Sequence, residues 1–202
     1  MPLAPYPALK CTRAGFTLIE LLTVMAIVGV LAAITFGVGR SVQRNAATQQ
    51  TRAEIAVLSQ ALEAYKRTYG DYPRTGNVAN NASADTTAAS NDGPGILFNA
   101  LTGKRGPLND TVNMNGKVFI ELSKFKTQTT DLPDPTNQNK VRNALTDPWG
   151  QRYLYLYNPG SSWKNQSYVL YSIGPDEKDS PSTDGSIDTT TDSNLDNIYA
   201  NR

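Results

Sequence analysis

The chain has 202 residues, 18% of them charged, with 19 Lys and Arg against 18 Asp and Glu for a formal net charge of +1. That length allows one globular domain plus an anchor, and a near-neutral charge without a basic block gives nucleic acid no compositional support as a partner. There is no histidine, which removes the usual zinc and copper ligands and the commonest general base, and one cysteine, Cys11, cannot close an intrachain disulfide.

The first element is an apolar run from Phe16 to Val38 that carries one carboxylate, Glu20, near its start. A helix needs about 20 apolar residues to cross a bilayer, so the run predicts a membrane span over 16–39. A bare carboxylate in hydrocarbon costs several kcal/mol, so Glu20 marks a function and implies a partner. Lys10 and Arg13 are the charges before the run, on the far side of Gly15. Were the chain cut after Gly15, the new amine on Phe16 would be a cation available to a carboxylate at membrane depth, and a neighbouring copy could supply it. An ordinary signal peptide fits less well, because its apolar region is shorter and ends in a small-residue cleavage site. Cys11 precedes the apolar run, which is the wrong order for a lipoprotein signal.

The string from Lys10 to Glu20, with Arg13, Gly15, Phe16 and Glu20, resembles the class III signal of type IV prepilins and type II secretion pseudopilins. The resemblance implies cleavage of a 1–15 leader between Gly15 and Phe16 by a membrane prepilin peptidase, then N-methylation of Phe16. It also implies that Glu20 guides each subunit into a filament by meeting the Phe16 amine of its neighbour.

From Val42 to Tyr69 there is no proline or glycine, and Ile55, Leu58, Leu62, Tyr65 and Tyr69 recur at helical spacing, with Val57, Ala61 and Ala64 broadening the stripe. Gly70 and Pro73 mark the stop. Phe16 to Tyr69 is thus expected as one helix of roughly 80 Å, apolar all round in its first half and amphipathic in its second. Gly37 and Gly39 stand where many relatives carry proline, which predicts local extension there in an assembled filament.

Residues 74–94, rich in Asn, Ala, Ser, Thr and Gly, read as an exposed loop. Ile96–Leu101 reads as a short docked helix, and Lys117–Leu122 as a strand. Asp147-Pro148-Trp149-Gly150 is a turn, followed by alternation from Arg152 to Tyr157 and a return strand from Ser167 to Ser172. Tyr153, Tyr155 and Tyr157 share one strand face, and core packing explains them better than a carbohydrate platform. The fold expected is α+β: a long N-terminal helix on a small antiparallel sheet, with 74–145 variable and 146–202 holding the sheet and an acidic, loop-rich C-terminus.

That C-terminal stretch contains Asp176, Asp184, Asp188, Asp192 and Asp196 without regular periodicity. On its chemistry alone it reads as a solvated loop, and oxygen ligands of this kind suit Ca²⁺. The blocks Asp147–Gly150 and Tyr171-Ser172-Ile173-Gly174-Pro175-Asp176 are similar to the major pseudopilin of type II secretion, whose final loop holds Ca²⁺. Carried over, the resemblance implies ligands at Ile173 (carbonyl), Asp176, Asp196 and Asn197, with Asp184 and Asp188 as competitors. An ion there would replace the disulfide that many type IV pilins use to close this loop.

The resemblance further implies a single-pass inner-membrane protein with a pilin-fold domain, residues 40–202, in the periplasm. Its implied partners are further copies of itself, minor pseudopilins, the prepilin peptidase and an inner-membrane assembly platform, and its role is structural, in the export of folded proteins. A type IV pilin or DNA-uptake pseudopilin is the alternative. A membrane-tethered enzyme is disfavoured, since the chain has no histidine, nucleophile elbow or phosphate loop.

Overall fold

The computed structural model of the protein describes residues 15–76, 82, 91–107, 113–160 and 162–200, with the backbone alone for 34–41. The chain divides into two compact units, Met1–Gln43 and Arg44–Arg202. Helix α1, Leu18–Tyr69, contributes to both. In the first unit, every large apolar side chain described from Phe16 to Leu31 is exposed. Backbone helix is assigned through Gly37 and Gly39 in this single chain, whereas the extension expected there concerns the filament.

In the second unit, α1 buries Ile55, Leu58, Ala61, Leu62 and Tyr65, which lie three or four residues apart on one face. Val57 does not join them and is 46% exposed. Two residues from Ile55 it stands about 200° round the helix, on the solvent side. Gly70 ends the helix at φ +87°, a left-handed conformation that glycine adopts freely, and its N–H donates to the Lys66 carbonyl at 2.7 Å. Lys66 and Arg67 in the last turn complement the helix dipole.

Helix α2, Gly93–Leu101, is buried along its whole length. Asp92 caps it by accepting from the Gly95 N–H at 2.8 Å, and Pro94 opens the first turn. The helix therefore starts earlier than Ile96. The expected exposed loop is also smaller than 74–94, since Thr75 and Ala82 are buried. Residues 77–81 and 83–90 of that stretch lie outside the described residues.

Strands β1, Lys126–Thr127, and β2, Leu145–Thr146, form an antiparallel pair. Strands β3, Leu154–Leu156, β4, Val169–Ser172, and β5, Ile198–Tyr199, form a three-stranded antiparallel sheet in the order β3-β4-β5. Leu154 faces Tyr171 and Tyr155 faces Leu170, so alternate residues go to opposite sides. Tyr153, Tyr155, Tyr157 and Leu170 pack with Ile55, Leu58, Leu62 and the apolar side chains of α2. On the other side Leu154, Leu156, Val169, Tyr171 and Ile173 form a second cluster, which Trp163, Ile187 and Tyr199 help to cover.

The strand expected at Lys117–Leu122 is not formed. Its groups bond elsewhere: the Lys117 N–H donates to the Tyr69 hydroxyl at 3.1 Å and the Phe119 N–H to the Leu101 carbonyl at 2.8 Å. The segment thus seals the ends of two helices instead of pairing with a strand, and Leu122–Lys124 becomes a 3₁₀ turn. The following loop is held by Lys104, which is buried. Its ammonium donates to Asn115 Oδ1 at 3.0 Å and to the Asp134 and Asn137 carbonyls at 2.6 Å each, so all three N–H groups are satisfied. A second buried cation, Arg152, pairs with Asp92 at 2.7 Å and ties the start of β3 to the cap of α2.

The amphipathic half of α1 and the chain just after it are further joined by tyrosine–carboxylate bonds. The Tyr153 hydroxyl donates to Glu54 at 2.5 Å, Tyr72 to Glu63 at 2.6 Å and Tyr157 to Asp71 at 2.9 Å. Each places a polar tip against an acceptor while the ring stays in the core. Burial, reinforced by Asp71, pushes the Tyr157 hydroxyl up to about 12.

Candidate functional site

At the N-terminus, Thr17 and Glu20 form a capping box. The Thr17 N–H and hydroxyl both donate to Glu20 Oε2 at 2.8 Å, while the Glu20 N–H donates back to Thr17 Oγ1 at 3.4 Å. The carboxylate that stands out in the sequence is therefore satisfied within its own chain, at the positive end of its own helix. The spacing Thr17-Leu18-Ile19-Glu20 carries this signal openly, but it is hidden when the acid is read only as an intruder in an apolar run. Thr23, one turn on, donates its hydroxyl to the Ile19 and Glu20 carbonyls at 3.0 Å each, so it too is satisfied within the helix.

Gly15 and Phe16, which flank the expected cleavage point, are both exposed. The rest of the expected leader, with Lys10, Cys11 and Arg13, lies outside the described residues. Among the described residues no helix is long and apolar enough to cross a membrane. The expected span over 16–39 runs into 34–41, whose side chains are also outside them.

The C-terminal loop brings some of the expected ligands together and separates others. Gly174 turns the chain at φ +74°, and a Cβ there would overlap the Asp196 carbonyl oxygen and stand 2.9 Å from Asp196 Oδ2. The Asp176 N–H donates to that same Oδ2 at 3.0 Å. Asp176 and Asp196 thus meet beside Gly174, one residue after Ile173. Burial pushes the Asp196 carboxyl up, and the Asp176 carboxylate beside it pushes it further.

Asn197 is buried and turns toward a different group. Its Nδ2 donates to Asp179 Oδ1 at 3.2 Å and lies 3.4 Å from Asn194 Oδ1, while its own Oδ1 is buried without a partner among the described residues. The two competitors are engaged elsewhere. Asp184 pairs with Lys164 at 2.5 Å and accepts from the Ser182 hydroxyl and the Ser186 N–H, contacts that hold its carboxyl far below the usual range. Asp188 accepts from Thr191 and Thr190, which hold its carboxyl at about 2.

Asp179 escaped notice in the sequence. Its carboxyl, pushed up by burial, also accepts from the Tyr171 hydroxyl at 3.0 Å. Nothing in its spacing sets it apart from its acidic neighbours, and only the position of Tyr171 on β4 brings it inward. Among the described residues no three His, Cys, Asp or Glu side chains converge as a metal cluster. The donors gathered at Gly174, two carboxylates and a backbone carbonyl, are nevertheless all oxygen and two of them repel each other. That set fits a hard cation such as Ca²⁺, which completes its shell with carbonyls and water.

Residues 10–36 match the family described as the prokaryotic N-terminal methylation motif. The chain carries a prepilin methylation motif. Over most of its length it is also similar to proteins named type II secretion system core protein G. The one from Pseudomonas aeruginosa is 27% identical over 170 residues, covering 83% of this chain and 87% of that protein. Those from Escherichia coli K12 and Pectobacterium carotovorum are 28% identical over 164 residues and 27% identical over 167, each covering 81% of this chain and, respectively, 83% and 77% of the relative. No solved structure matches the chain.

Proposed function

We infer that this chain is the structural subunit of a pseudopilus, polymerising from the inner membrane to drive export of folded proteins by type II secretion. The observation that carries this is Glu20, a carboxylate inside the methylation motif, at the head of a helix whose large apolar side chains from Phe16 to Leu31 are all exposed. Similarity to core G proteins along four-fifths of the chain supports the type II system over a type IV pilus or DNA uptake.

Cleavage after Gly15 turns the Phe16 amide into an amine, a cation for a carboxylate. Thr17 keeps its own N–H and hydroxyl through that cut, so a lone subunit retains the capping box and Glu20 is never bare. In the filament the Phe16 amine of a neighbouring copy adds a charge-assisted partner, stronger than the neutral Thr17 donors. The apolar half of α1 is covered by lipid before assembly and by other copies after it. The subunit works as a single-pass inner-membrane protein with its 40–202 domain in the periplasm, acted on by the prepilin peptidase, the assembly platform and minor pseudopilins. No catalytic role is proposed. Substituting Glu20→Ala in the full chain is expected to abolish filaments seen by electron microscopy while membrane levels and the melting of the domain stay as in the parent. Normal filaments from that variant would overturn the reading.

Ca²⁺ is the proposed ion of the C-terminal loop, held by the carboxylates of Asp176 and Asp196 and the carbonyl of Ile173. When bound it would relieve their repulsion and cross-link the two ends of a loop that has no disulfide. An ion bound only to the folded state stabilises it by about 2.7 kcal/mol at a hundredfold excess over its Kd. Melting in calcium is therefore expected several degrees above melting in EGTA, and equal melting temperatures would remove the proposal.

A further inference from the structure

The Asp147–Gln151 turn lies far from the acidic loop in sequence, yet two side-chain connections join them. Asp147 is fully buried, and its Oδ1 accepts from the Trp149 and Gln151 N–H groups at 3.1 and 2.9 Å. Its Oδ2 accepts from the Ser172 hydroxyl at 2.6 Å, and Ser172 Oγ in turn accepts from the Gly174 N–H at 3.1 Å. From the far end of the turn, Gln151 Nε2 donates to Glu177 Oε2 at 3.0 Å. Glu177 sits at φ +58°, a left-handed conformation that is unfavourable for a non-glycine residue. Chain on both sides of Asp176 is thus held from the same turn.

The Gly174 N–H and the Ile173 carbonyl belong to one peptide unit. That unit is planar and trans, so its N–H and C=O point in opposite directions. A bond that draws the Gly174 N–H toward Ser172 Oγ therefore aims the Ile173 carbonyl away from Ser172. The Asp147 carboxylate fixes the Ser172 hydroxyl proton on its own side, which leaves the oxygen lone pairs for Gly174 and polarises them. Within two residues the chain then reaches Asp176, whose N–H is taken by Asp196.

We propose that Ser172, anchored on Asp147, is a positioning residue that sets the Ile173 carbonyl and the Gly174–Asp176 turn for Ca²⁺ before the ion arrives. The inference rests on the calcium reading given above. Partners behind metal ligands typically change affinity 10- to 100-fold when removed, which sets the scale expected here.

The test is calorimetric titration of Ca²⁺ into the full chain in detergent micelles, for the parent, Ser172→Ala and Ser172→Thr. Ser172→Ala is expected to bind at least about tenfold more weakly when titrated well below its melting temperature, and to melt lower than the parent in EGTA because the buried Asp147 carboxylate loses a donor, whereas Ser172→Thr, which keeps the hydroxyl, is expected to recover most of the affinity. In calcium-free parent the Gly174 amide is expected to exchange slowly with deuterium. This last measurement decides the matter if Ser172→Ala does not fold. A parent that takes up no calcium ends the calcium reading and this inference with it. A parent that binds while Ser172→Ala binds as tightly, or whose calcium-free Gly174 amide exchanges as fast as an open loop, overturns the inference alone.

Discussion

Both halves of α1 are helical and both carry Leu, Ile and Ala, but they are stabilised by different surroundings. From Phe16 to Leu31 every large apolar side chain described is exposed, whereas Leu58, Leu62 and Tyr65 are completely buried. The second half also has polar seats: Glu54 accepts from Tyr153 and Glu63 from Tyr72. The described residues of the first half show the capping box, the Thr23 hydroxyl bonds to the Ile19 and Glu20 carbonyls and the hydrogen bonds of the helix itself. One half is completed by its own chain, and the other leaves its large apolar side chains exposed. Hydrophobicity alone does not tell these apart, since an apolar residue is stabilising only where something removes it from water.

The largest effect should separate the halves directly. Leu62→Ala leaves a hole in a closed core and is expected to cost about 3 kcal/mol in the denaturant unfolding of the domain. Leu22→Ala, a similar truncation on an exposed face, should leave that unfolding within about 0.5 kcal/mol of the parent. Equal losses would erase the distinction. A smaller effect tests the polar seats. Tyr153→Phe keeps the ring in the core but strips the donor from Glu54, and should cost about 1.5 kcal/mol, the scale of a bond to a charged group.

The smallest effect concerns pH. Burial pushes the Asp71 carboxyl up, but donors from Arg74 and Tyr157 outweigh it and hold it below its ordinary 3.8. A depressed carboxyl stabilises the fold fully above its unfolded value and loses that contribution as pH falls through the folded one. The parent should therefore lose stability more steeply than Asp71→Asn below 3.8, as read from melting temperatures across acid pH. Asp147 has the opposite sign, because burial pushes its carboxyl up more than the Ser172 hydroxyl and the turn N–H groups pull it down, so its ionisation weakens the fold as pH rises above 3.8.

Where side-chain pattern and chain direction suffice, the fold was legible. The 3.6-residue stripe from Ile55 to Tyr65, the stop at Gly70 and the β3–β4 pair follow from local rules and were expected in place. The failures have a common cause. Lys117–Leu122 looks like a strand, but its N–H groups find Tyr69 and Leu101, both distant in sequence. Strand β5 has only two residues, too short to show a period, and exists because the edge of β4 offers Tyr171 and Ser172 as partners. The outer face of the sheet is covered in part by Ile187 of the acidic loop and Tyr199 of β5, which no local pattern announces.

For the two sites the division is similar. Sequence by itself determined the N-terminal methylation motif, the position of Glu20, the apolar character of its helix and the supply of oxygen donors in the tail, because each depends on residue types at short spacing. The tertiary structure alone decided which acids meet. Asp176 and Asp196 come together because Gly174 has no side chain to hold them apart, and Asp184 withdraws to Lys164. It also decided that Asp147, an apparent turn residue, reaches across to Ser172 and the loop. The pairing of groups some 20 residues or more apart depends on how strands and turns pack, and spacing along the chain does not encode that in any local signal.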